Sequence, residues 1–275
     1  MSRAWYLPGV VPKLWGSFVS SGGKRQVQVW KTPCAVTKAG KEASNPMACT
    51  ALINPANPQL SGVSKFPYFP RGGPVPKEYP KKDSHHIMGY VTQWGGMEVG
   101  DGMLFAANVV DGMVHQLGGW RLAVECRLLP IVGSNPDTNE EERCPVGQAI
   151  VTGPGGADLQ KHFDYVVHTV PPFYRHHPEP EQHLMQCYRN SLRLAFERAS
   201  KVACPLLGAG ARGFPLDLAL EIAGQASLEW RDHSSDHKEK QSLSFAIPDP
   251  EIADQLCKAI EDASDDQSRR LLDNQ

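Results

Sequence analysis

Val202-Ala203-Cys204-Pro205-Leu206-Leu207 runs directly into Gly208-Ala209-Gly210-Ala211-Arg212-Gly213 and then into Phe214-Pro215. A short, unbroken apolar run reads as a strand buried on both faces of a parallel sheet. The glycines that follow form a loop, and the Phe-Pro step opens a helix. Strand, glycine loop and helix N-terminus in this order suit a diphosphate, because backbone N–H groups approach the ligand closely and the helix end adds positive potential. The same layout also serves as a plain tight turn, so the loop needs support from elsewhere in the chain.

Upstream, Gln26-Val27-Gln28-Val29-Trp30 alternates as a first strand would, and Thr50-Ala51-Leu52-Ile53-Asn54 is a second buried strand. From Val110 the period becomes helical, with Val114, Leu117, Val124 and Leu128 along one stripe. Tyr165–Val170 is a strand ended by Pro171-Pro172, and Leu184, Tyr188, Leu192, Ala195 and Ala199 mark an amphipathic helix. Leu243–Ile247 supplies a last strand and Pro250–Ala263 a last helix, followed by a polar tail over 264–275 that is expected to fray. Strands alternating with helices predict an α/β sandwich with a mixed, largely parallel sheet, in one domain over residues 1–263.

Between 63 and 105 the chain changes character. Phe66-Pro67-Tyr68-Phe69-Pro70-Arg71-Gly72-Gly73-Pro74, Pro76, Pro80 and further glycines argue against any regular element there. So long an irregular stretch reads as a functional lid or a separately ordered insertion. Its aromatic residues Phe66, Tyr68, Phe69 and Trp94 suit a small satellite core or a cover over a ligand.

Bulk composition narrows the partners. With 28 basic and 30 acidic residues the net charge is −2, which offers no broad basic face for nucleic acid, although a local basic patch is compatible with it. Seven cysteines at 34, 49, 126, 144, 187, 204 and 257 show no paired spacing, so they read as reduced, buried thiols of an intracellular protein, with no metal site. The doublets His85-His86 and His176-His177 lack a spaced thiol partner and read as surface loops. No apolar run reaches the ~20 residues that cross a bilayer. The first acidic residue is Glu42, and an N-terminus holding Arg3, Lys13, Lys24, Arg25, Lys31 and several serines also resembles a mitochondrial transit peptide. A cytoplasmic or nuclear location is the main expectation, because the alternation at 26–30 already reads as a strand.

Four segments resemble, in order, the signature of the macrodomain family. Leu52-Ile53-Asn54-Pro55-Ala56-Asn57-Pro58-Gln59-Leu60 resembles its strand ending in Asn-Ala-Ala-Asn. Val110-Asp111-Gly112-Met113-Val114-His115 resembles its Val-Asp-Gly-x-Ile-His helix opening. Cys144–Gly153, with Leu159 and Val167-His168-Thr169-Val170-Pro171, resembles its Cys-x-x-Gly-x-Ala-x-x-Thr stretch and Ile-His-Thr strand. Gly208–Pro215 stands where the family has Ser-Thr-Gly-Ile-Tyr-Gly-Tyr-Pro.

The resemblance implies a three-layer α/β/α fold with an ADP-ribose cleft at the C-terminal ends of the strands, working as a monomer without a cofactor on ADP-ribose and mono-ADP-ribosylated proteins. The MacroD-type branch, which removes single ADP-ribose units from acidic side chains and cleaves O-acetyl-ADP-ribose, is the most similar; the alternatives are a non-catalytic ADP-ribose reader and a degenerate macrodomain that acts as a protein-interaction module. Its catalytic pair carries over onto Asn57 and Asp111. A carboxylate suits the task of steering or deprotonating water, and an amide that of holding a ribose hydroxyl. Their simpler readings are a turn former for Asn57 and a helix cap for Asp111. Pro55, Ala56, Ala106, Ala107, Asn108, Val109 and Val110 complete the first binding loop, and Gly208, Ala209, Gly210, Ala211, Arg212 and Gly213 form the second. Phe245 matches an aromatic that stacks on adenine, with a core role as the alternative. The departures are clear: in the family a short run of glycines joins the two catalytic residues, whereas here they stand 54 positions apart. Arg212 replaces an aromatic near the distal ribose. His168 reads as a satisfied core histidine. The glycine stretch with paired glutamates of poly(ADP-ribose) glycohydrolases has no match, so cleavage of polymer is not expected.

Overall fold

A computed structural model describes residues 11–62 apart from 21, 33 and 43, and residues 109–273 apart from 135–138, 176, 211 and 233–238. It also gives the backbone of 96–99 and 102–105, and backbone alone from 266 to 273. Seven strands form the main sheet in the order β1 (Lys13–Val19), β2 (Arg25–Lys31), β11 (Gln241–Ile247), β10 (Lys201–Cys204), β3 (Ala51–Pro55), β9 (Tyr165–Thr169) and β8 (Ala149–Thr152). The five strands from β2 to β9 run parallel, and β1 and β8 close the two edges antiparallel. This is the mixed, largely parallel sheet that the alternation of elements predicts.

Helices cover both faces. Helices α3 (Pro180–Phe196), α4 (Leu216–Asp232) and α5 (Pro250–Asp273) bury Leu184, Tyr188, Leu192, Ala223, Leu256 and Ile260 against Val27, Ile53, Val202 and Leu243. Helices α1 (Val110–Leu128) and α2 (Ala157–Gln160), with Val36, Ala39 and Met47 of the loop after β2, enclose Leu52, Val166, Ala203 and Ala246 on the other face. Full burial of each Val, Leu, Ile or Met among them contributes roughly 1.5–3 kcal/mol. Gly224 lets α4 and α5 cross closely, since a Cβ there would lie 2.8 Å from the Ala259 carbonyl oxygen.

Several elements differ from expectation, each for a local reason. β1 precedes the strand read as first; its alternation is masked by a register shift between Leu14 and Gly16. The stretch 63–105 does hold regular structure at its end, where β4 (Gly96–Val99) and β5 (Gly102–Phe105) pair antiparallel. α1 buries Val114 as predicted, but Leu128 is exposed and the stripe continues through Gly118, Leu122 and Cys126. A kink at Gly119 (φ 58°, ψ −154°) turns the second half of the helix onto a new face. The tail from Ser264 does not fray at once, because α5 runs on to Asp273. A two-residue pair, β6 (Gly133–Ser134) with β7 (Glu141–Glu142), closes the polar loop after α1.

Candidate functional site

The C-terminal ends of β3 and β9 carry a buried polar chain. The Asn54 amide donates through Nδ2 both to Asp111 Oδ1 at 2.8 Å and to His168 Nδ1 at 3.1 Å. His168 Nε2 lies 2.8 Å from Thr152 Oγ1, whose own hydroxyl donates to the Gly153 carbonyl at 2.9 Å. With Nδ1 accepting from Asn54, the His168 proton sits on Nε2 and points at Thr152. Burial pushes the His168 pKa down to about 3, with His115 as a second, smaller cause. His168 is thus a neutral core histidine.

Asp111 lies in the first turn of α1, 3% exposed. It does not cap the helix; Val109 precedes it with extended backbone and no side-chain cap bond. Besides Asn54, its Oδ1 has His115 Nε2 at 3.5 Å. Its second oxygen, Oδ2, and Asn54 Oδ1 are buried acceptors with no hydrogen-bond donor among the described residues. Burial raises the Asp111 pKa above the usual carboxylate range, against the opposing pull of His115, Asn54 and Arg212. A carboxylate of raised basicity with one oxygen to spare can accept a proton or orient a hydroxyl.

The first loop leaves β3 at Pro55, and the Ala56 N–H donates to the Thr169 carbonyl at 2.8 Å. Asn57 is 1% exposed and spends its amide within this loop. Nδ2 donates to the Gly62 carbonyl at 2.6 Å, and Oδ1 accepts from the Ser61 N–H at 3.0 Å. Gly62 (φ 69°) lies against the His115 ring, where a Cβ would come within 2.9 Å of Cγ. The residue beside Asp111 is therefore Asn54, and Asn57 reaches α1 through the loop that it closes.

The second loop begins at Gly208 (φ 84°) and returns through Gly213 (φ 73°), whose N–H donates to the Gly210 carbonyl at 3.0 Å. Among the described residues nothing lies within 4 Å of a Cβ built at Gly210 or Gly213, so the backbone there is open to a ligand. Arg212 turns inward and is 7% exposed. Its Nη2 donates to the Ala56 carbonyl at 2.6 Å and its guanidinium lies 4.3 Å from the Phe173 ring centroid. One side chain so ties the second loop to the first. Burial lowers its pKa to about 10, partly offset by the nearby Asp111 charge.

Phe245 takes the second of its two expected roles, a place in the core. Strand alternation turns it to the helix-covered face, where it is fully buried and meets Tyr188 edge-on at 6.4 Å. No ring face is left for adenine. Ala106, Ala107, Asn108 and Ala211, like the aromatics at 66, 68, 69 and 94, lie outside the described residues. Among the described residues no group of three His, Cys, Asp or Glu side chains is placed to hold a metal, and no helix is long and apolar enough to cross a membrane. Asn54 and His115 are not among the residues that the sequence assigns to the site, although their motif neighbours are. Their polar type inside an apolar strand and on a buried helix face was the available signal.

Comparison with known proteins fixes the family. Residues 98–223 match the macro domain model. A macro domain-containing protein of Caldanaerobacter subterraneus subsp. tengcongensis is 31% identical over 151 residues, which cover 54% of this chain and 79% of that one. The chain belongs to the macro domain family. The human ADP-ribose glycohydrolase MACROD2 is 33% identical over 147 residues, 52% of this macro domain chain and 30% of that protein. A mutant macrodomain of Oceanobacillus iheyensis with ADPR shares the fold at a TM-score of 0.55 and 19% identity, over 90% of this chain and 97% of that one. The family match begins at β4, so it includes Asp111 and both arms of the second loop but not Asn54 or Asn57.

Proposed function

We propose that this macro domain binds ADP-ribose and hydrolyses the ester that joins the distal ribose of a single ADP-ribose unit to an acidic side chain, and equally that of O-acetyl-ADP-ribose. The observation that carries the reading is Asp111: a buried carboxylate of raised pKa, oriented by Asn54, with one oxygen unpaired among the described residues. In the reaction Asp111 Oδ2 takes the proton of, or steers, the attacking water, with the substrate's phosphate as a second acceptor. The open backbone at Gly210 and Gly213 receives the diphosphate. Asn57 holds the ribose by exchanging the Gly62 carbonyl for a ribose hydroxyl. The family name of the human relative and the ADPR bound to the Oceanobacillus iheyensis protein support this assignment.

The test is release of ADP-ribose from a protein automodified on acidic residues. Purified chain releases it, and Asp111→Ala combined with Asn57→Ala does not. Normal turnover by that double variant overturns the proposal. The depth of Asp111 favours a second reading, a non-catalytic ADP-ribose reader. Calorimetric binding with no product after long incubation would select it.

A further inference from the structure

β2 and β11 are interior strands of the parallel part of the sheet, yet on one face they are polar. Parallel strands are normally covered on both faces and read as continuous apolar runs. Here Gln26 and Gln28 alternate with Val27 and Val29, and Ser242 and Ser244 alternate with Leu243 and Phe245. The parallel register sets Gln26 beside Ser242 and Gln28 beside Ser244, so the four polar side chains share one face. It is the face opposite the one on which Val27, Val29, Leu243 and Phe245 meet the cluster of α3, α4 and α5.

Three lysines stand at the N-terminal edge of this polar stripe. Lys201 of β10 is in register with Ser242. Lys24 and Lys240 each precede their strand by one residue, and the Gln241 N–H donates to the Lys24 carbonyl at 2.8 Å, which holds the two together. With Gln26, Gln28, Ser242, Pro46 and Met47 they line a depression of about 410 Å³. Its described lining contains no carboxylate, and none of the three ammonium groups has an ion-pair partner among the described residues. The floor keeps unused hydrogen-bonding capacity of both kinds. Gln26 donates through Nε2 to Ser17 Oγ at 2.6 Å, which leaves Oε1 to accept. Gln28 Oε1 accepts from Trp30 Nε1 and Ser244 Oγ, which leaves Nε2 to donate.

We propose that this depression is a second binding site, for a small phosphate ester that carries hydroxyl groups. Three lysines on the lining, with no carboxylate among its described residues, attract phosphate oxygens. Amides and hydroxyls that donate and accept match sugar hydroxyls rather than an apolar group. The volume lies within the range of small-ligand sites. The depression opens at the N-terminal ends of the strands, whereas Asn54 and Asp111 lie at the C-terminal ends. Both sites can therefore be filled together.

Titration of the ¹⁵N-labelled full chain with ribose 5-phosphate, inorganic phosphate and unphosphorylated ribose tests the site. Saturable shifts of the amides at 24–28 and 240–244 are expected with ribose 5-phosphate, weakening as salt is raised. Lys24→Gln, Lys201→Gln and Lys240→Gln together should weaken that response by about tenfold or more, with the rest of the spectrum unchanged as proof of fold. Unchanged binding by the triple variant, an equal response to inorganic phosphate, or no saturable shift in this region overturns the proposal. Tighter binding here of a short single-stranded RNA than of ribose 5-phosphate overturns it in favour of nucleic acid. Because Asp111→Ala leaves these lysines intact, the response should survive in that variant.

Discussion

Asn54 donates both hydrogens of one amide nitrogen, one to Asp111 Oδ1 at 2.8 Å and one to His168 Nδ1 at 3.1 Å. The orientation of Asp111 thus depends on a residue of β3 that is itself held by β9. Replacement of Asn54 by Ala leaves two buried acceptors unpaired, and should cost about 2–4 kcal/mol in chemical denaturation. Hydrolysis should fall along with it, whereas a variant as stable and active as the parent would show that the amide orients nothing.

The pH dependence of stability has a definite sign at His168. Its pKa is pushed from the ordinary 6.5 down to about 3 in the folded chain. The fold therefore keeps its full stability above pH 6.5 and loses it as pH falls towards 3, at about 1.4 kcal/mol per pH unit for one proton. His168→Asn should be less stable overall but should flatten that slope between pH 6 and pH 4. Parallel stability curves for the two proteins would contradict the neutral assignment.

Asp111 carries the opposite sign, because its folded pKa is raised from 3.8. Ionisation then costs stability as pH rises above 3.8, and below that value the cost is absent. Asp111→Asn is expected to lose hydrolysis by about 100-fold or more. At pH 7 it should nevertheless match or exceed the parent in stability, with the gain shrinking towards pH 4. Urea unfolding at the two pH values measures this directly.

Arg212 bonds the Ala56 carbonyl and stacks on Phe173, so a change there should loosen both loops. Lysine cannot supply a flat, forked group, and Arg212→Lys should weaken ADP-ribose binding by about tenfold. Arg212→Met removes the charge that favours the Asp111 carboxylate and should shift the acid limb of the hydrolysis profile upward in pH. Loss of affinity without any movement of that limb would leave Arg212 as a strap alone.

Gly62 combines a left-handed backbone with close contact to the His115 ring. Gly62→Ala should cost about 1–2 kcal/mol in backbone strain alone and push the loop off α1. Asn57→Ala removes the bonds to Gly62 and Ser61. If the amide only closes this loop, the two variants should impair activity alike; if it also holds ribose, Asn57→Ala should be worse in KM.

Much of the fold was legible along the chain because periodicity reports burial. The apolar runs at 51–55, 165–169 and 201–204 and the stripe of α3 are local records of faces that must leave water. Elements that break their own period are not legible in this way: β1 through its bulge, the second half of α1 through Gly119, and the strand pair 96–99 with 102–105 through the glycines around it.

The motif residues of both loops were likewise present in the sequence, and with them the family. Which asparagine meets the carboxylate was not, since Asn54 and Asn57 differ by three positions, and only the turn after β3 decides that one faces Asp111 while the other closes on Gly62. The destination of Arg212 and the burial of Phe245 were set in the same way. Composition determined what each segment buries; the partners of a polar side chain depend on strands and helices far apart in the chain, and those distances close only when the sheet assembles.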